Sequence, residues 1–158
     1  MKKLAFLIYA WGSTFLMAAF IYWLATIPYL SAGDRVPDEL VKILFRMTLY
    51  AIFFILFYRS LIITLKSSVE RLAKWRSKNE KMDDEEFVLI IETLSIIITI
   101  LASTLFSVFE QYSQYLAVLN NSIANRSPEL KDVLVSVIAI LLTAIVVYSI
   151  PAIGELEI

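Results

Sequence analysis

The chain of 158 residues contains no cysteine and no histidine. Those two absences remove disulfides, thiolate metal sites, thiol nucleophiles and the usual haem ligands together. Three glycines and four prolines leave no material for a Gly-rich phosphate loop. An excess of either charge is missing as well: 14 basic residues face 15 acidic ones, which gives nucleic acid no reason to bind. Apolar residues dominate instead. They make up 59% of the chain, where a soluble domain holds about 45–50%. The mean hydropathy is +0.76, and the excess is concentrated in long runs, which places the chain in the membrane class.

A spanning helix needs roughly 20 mostly apolar residues. Four segments qualify, at about 4–28, 40–65, 87–109 and 133–150, the third able to continue toward Tyr115. The expected fold is an all-α integral membrane protein: one domain of four transmembrane helices. The ends are marked chemically. Pro37 suits a first helical turn, with Asp38 and Glu39 set against the helix dipole. Asp83 or Asp84 can cap the third helix, and Ser127-Pro128-Glu129 starts the fourth. Pro151 and Gly154 end it.

Basic residues near the spans set the orientation. Lys2, Lys3, Lys66, Arg71, Lys74, Arg76, Lys78 and Lys81 would lie on one side, against Arg35, Lys42, Arg126 and Lys131 on the other. This bias predicts both termini in the cytoplasm, most simply at the plasma membrane. The first segment begins like a signal peptide, but its apolar run exceeds the usual length, so we read it as a retained helix. Segment 66–81 continues the second helix into the cytoplasm without proline or glycine. It reads as a solvated extension, or as a basic amphipathic helix that touches anionic lipid through Arg71, Lys74 and Lys78. Asn120-Asn121-Ser122 and Asn125-Arg126-Ser127 are weak glycosylation triplets on the outer side.

The third span carries the main functional signal. At 100° per residue, Glu92, Ser95, Thr99, Ser103, Ser107 and then Glu110 or Gln111 recur at steps of three and four, and Gln114 continues the row. Leu94, Ile97, Ile98, Leu101, Leu105 and Val108 form the opposite side, with Ile91 assigned to it as well. Small and hydroxyl residues let membrane helices approach closely. The row could therefore pack against small residues of other helices: Ala10, Thr14 and Ala18 in the first, Ser136, Ala139 and Thr143 in the fourth. Alternatively, copies of the row around an oligomer axis would line a pore, with glutamate rings that favour cations.

Charges within the spans add a second signal, because each costs at least ~2.5–3.5 kcal/mol at mid-helix if left bare. Depth matching predicts an ion pair between Arg59 and Glu92, and a looser match between Arg46 and Glu110. The two arginines are 13 residues apart, roughly 220° around the helix, so both cannot face one partner. Arg46, near its helix start, is the easier to snorkel to the headgroups.

Enzyme chemistry finds no support: no nucleophile has a base at a recognisable spacing, and no cofactor is implied. Asp34, Asp38 and Glu39 fall far short of a full metal shell, so no metal is expected. The lipid bilayer is the expected partner, together with further copies of the chain or a larger membrane complex. Two functions remain. One is a small oligomeric pore or ion-conducting protein lined by the third helix. The other is a non-catalytic membrane subunit packed against a larger complex. A pure scaffold does not need acids at both ends of the row, which favours the pore at this level.

Overall fold

The computed structural model describes the backbone of residues 2–26, 39–76, 84–119 and 130–149, and the side chains of 5–24, 40–65, 89–116 and 130–149. All the described residues are helical, in four helices: α1 (Lys2–Thr26), α2 (Glu39–Arg76), α3 (Asp84–Leu119) and α4 (Leu130–Ser149). Each contains a stretch long and apolar enough to cross a membrane: Ala5–Leu24, Leu40–Leu65, Leu89–Leu116 and Leu130–Ser149. The chain is an all-helical membrane protein.

The spans fall where the hydropathy places them, with two boundary differences. The third runs further than its apolar core, because Gln111, Ser113 and Gln114 are good enough helix formers to carry the turn onward. The fourth begins at Leu130, so Lys131 and Asp132 form its first turn, where an acid suits the helix dipole. α2 continues unbroken to Arg76, as the absence of proline and glycine predicts. Lys78 lies outside the described residues, as do the Ser127-Pro128-Glu129 start signal and the sequons; the side chains of Arg71 and Lys74 are likewise outside them.

Helices consecutive in the chain run antiparallel, so α2 and α4, which also pack together, run parallel. Trp11 near the start of α1 meets Thr64 late in α2 through an Nε1–H···Oγ1 bond of 2.9 Å. Arg46 early in α2 meets Glu110 late in α3 and Ser136 early in α4. α2 is the hub, packed against α1, α3 and α4; α3 and α4 pack on each other, while α1 touches α3 only lightly. The apolar core reflects this arrangement. Tyr50, Phe53 and Phe54 of α2 pack with Ile140, Ala144 and Val147 of α4, and Ile21 of α1 joins them. Phe106 closes on Phe53 with ring centroids 5.0 Å apart.

Small residues allow α1 and α2 to approach. Ser60 is buried and donates to the Ala10 carbonyl at 2.8 Å, while Thr14 lies 2.8 Å from Ser60 and also donates to the Leu56 carbonyl at 3.1 Å. Ala10 and Thr14 therefore receive a serine of α2 rather than the polar row of α3. Gly12 plays no part in that approach, since a Cβ there would meet nothing within 4 Å.

α3 is built with its oily side outward. Leu94, Ile97, Leu101, Leu105 and Val108 are exposed, and Ser95, Thr99, Ser103 and Ser107 are buried. A soluble helix would show the reverse; here hydrocarbon takes the place of water on the outside. Ile91 belongs to the buried side, contrary to its assignment from the sequence: it precedes Ser95 by four residues and so shares its face.

Candidate functional site

The centre of the polar interior is Arg46. Its position follows from α2's periodicity: Arg46 and Tyr50, four residues apart, share the face turned toward α3 and α4. The guanidinium reaches both neighbours. Its Nη2 lies 3.0 Å from Glu110 Oε2, Nε donates to Ser136 Oγ at 2.9 Å, and Nη1 lies 3.4 Å from Asp132 Oδ2. The guanidinium carbon also sits 5.7 Å from the Tyr50 ring centroid. Tyr50 donates its hydroxyl proton to Glu110 Oε2, the atom that Arg46 holds. Gln114, one turn on from Glu110, donates from Nε2 to Oε1 at 3.2 Å. Ser136 in turn donates to the Asp132 carbonyl at 2.9 Å.

Three helices are thereby tied at one level by charge-assisted bonds, the stronger class. Glu110 is 3% exposed and Asp132 is 7% exposed, so these are desolvated groups rather than surface pairs. A buried charge is tolerable when it is paired and its remaining hydrogen-bonding capacity is used, and both conditions are met at Arg46 and Glu110.

Two expectations from the sequence are corrected here. Arg46 does not snorkel; it is the interior arginine. Arg59 makes no ion pair with Glu92: it is exposed, and its guanidinium carbon lies 5.9 Å from the Phe6 ring centroid. The reason is the roughly 220° between the two arginines, since once Arg46 faces inward Arg59 must face away. Depth alone ranked the wrong pair first. Glu92 itself is half-buried. Replacing Arg59 with leucine should change unfolding free energy by less than about 1 kcal/mol, the scale of an exposed cation–π contact. Denaturant titration in mixed micelles measures this. A loss near that of an Arg46 substitution would mean that Arg59 has a buried partner.

The rest of the predicted row is buried inside the chain's own bundle. Ser95, Thr99, Ser103 and Ser107 are each 0% exposed. They divide into two groups. Ser95 donates to the Ile91 carbonyl at 2.6 Å and Thr99 to the Ser95 carbonyl at 2.7 Å, so these hydroxyls are satisfied by their own helix. The Ser103 and Ser107 hydroxyls are within bonding geometry of no partner, although Ser107 lies beside Tyr50. The same holds for both amide atoms of Gln111 and for Gln114 Oε1. The bundle thus has a polar, incompletely bonded interior at the Glu110 end and self-bonded hydroxyls toward the Glu92 end.

Reading the sequence for charge and hydroxyl spacing found Arg46, Glu110 and the row. It missed Tyr50, Asp132 and Ser136 as members of one cluster. Their signal was present as two i,i+4 pairs, Arg46 with Tyr50 and Asp132 with Ser136. Among the described residues no group of acids is arranged to hold a metal ion. Compared with known proteins, the chain matches no protein-family model, no curated protein and no solved structure.

Proposed function

We propose that the chain is a non-catalytic membrane subunit, a four-helix bundle that serves a larger membrane complex as a packed, rigid element. The observation that carries this reading is the burial of Ser95, Thr99, Ser103 and Ser107 inside a single chain. An oligomeric pore lined by α3 needs those side chains on the oligomer axis. Here they occupy the interior between α3 and its own neighbours, and the face α3 presents outward is leucine, isoleucine and valine. Such a surface suits lipid or another apolar helix. The arginine cluster supports the same reading, because it locks three helices into one register without presenting its charges to a conduction path outside the bundle.

The test is the mass of the full-length protein purified alone in detergent, followed by ion flux in proteoliposomes. We expect one chain per micelle, no flux above empty vesicles, and migration in a larger assembly only when native membranes are solubilised. A discrete homo-oligomer whose flux falls on Glu92→Gln would overturn the proposal and establish a pore.

A further inference from the structure

We propose that the Glu110 end of the bundle holds a short internal file of water, bound by Ser103, Ser107, Gln111 and Gln114 and ending between Ser103 and Thr99. Four buried polar atoms on Ser103, Gln111 and Gln114 have no protein partner, and Ser107 Oγ has only the Tyr50 hydroxyl beside it. Gln111 and Gln114 are 6% and 5% exposed, and both serines are 0% exposed, so bulk solvent does not reach them. A side-chain amide buried with neither of its polar atoms bonded is disfavoured in a packed interior, and water is the usual remedy when a buried site offers two to four polar partners.

The hydroxyls point to the same boundary. Most others in the spans bond back to their own helix, among them Thr48, Ser95, Thr99, Ser113 and Thr143. Ser103 and Ser107 do not, although the same carbonyls are available one turn back. The four residues share one side of α3 over three turns, within an arc of about 80°. The file is anchored in the ion cluster at two points. Gln114 uses one amide atom on Glu110, which leaves Oε1 beside it, and Ser107 lies beside Tyr50, which donates to the same carboxylate. Gln114, the residue of the four furthest along α3, marks the Glu110 end of the file. At the other end Thr99 and Ser95 give their protons to their own helix and can only accept from water, so no unpartnered atom continues the file beyond Ser103.

Radiolytic hydroxyl footprinting of the intact protein in nanodiscs tests this, since radicals formed from bound water oxidise the side chains around it. Tyr50 and Tyr58 provide a matched pair: both are buried tyrosines, at 1% and 6% exposure, and only Tyr50 adjoins the proposed file. Tyr50 should be modified clearly faster than Tyr58 if structured water sits beside it. Gln111→Leu should bring Tyr50 down toward the Tyr58 rate. Ser103→Ala, which adds no bulk, should lower the melting midpoint, because it removes a partner of the water. Tyr50 labelling no faster than Tyr58, or a midpoint that rises in Ser103→Ala, would show a dry interior and overturn the proposal.

Discussion

Arg46→Ala is expected to cost about 3–5 kcal/mol of unfolding free energy, the largest effect of any single substitution in the bundle. The size comes from what is left behind. Removing the guanidinium leaves Glu110 and Asp132 without their shared cation, and Ser136 Oγ without its donor. Glu110 keeps Tyr50 and Gln114, which can hold a carboxylate but supply no positive charge. Arg46→Lys should recover only part of the loss. An ammonium is a compact point charge and cannot span Glu110, Asp132 and Ser136 with separate planar donors. Reversible unfolding in mixed micelles, with Arg59→Leu alongside, checks both the magnitude and the contrast. A loss at Arg46 no larger than the small one expected at Arg59 would mean that the cluster contributes nothing specific.

The second large effect is expected at Ser95→Leu, with a loss of roughly 1–3 kcal/mol from overpacking. Ser95 is 0% exposed and its hydroxyl is folded back onto Ile91, so its neighbours close on a side chain of minimal size. Leucine there must push α3 away from the helices it faces. The transfer of apolar surface from water does not offset this, because lipid already serves as an apolar solvent for the separated helix. Leu101→Ala, on the exposed side of the same helix, should be near neutral. Thermal midpoints of the two variants in one detergent decide the matter. If Ser95→Leu matches Leu101→Ala, the row is not the packed side.

Spans, helix identity and the two-sided character of α3 were legible in the sequence because each rests on local quantities. Length and hydropathy define a span whatever surrounds it, and a row of hydroxyls at steps of three and four shares a face in any helix. The same angular argument excluded a common partner for Arg46 and Arg59. It could not say which arginine turned inward, because that depends on how α2 is rotated against three neighbours. Depth matching ranked Arg59–Glu92 first, and rotation reversed the order.

The sequence by itself determined that this is a membrane chain of four helices with a polar row along the third and charges that need neutralising. Only the tertiary structure decided where that row points and which charges meet. Burial of Ser95 to Ser107 is a property of the bundle, created by α2 and α4 closing on α3. Asp132 and Tyr50 became part of one cluster with Arg46 through contacts between residues 60 to 90 positions apart. No periodicity encodes such pairings. They are selected by the single rotation of α2 that places one guanidinium between two carboxylates, and that rotation also leaves Arg59 outside.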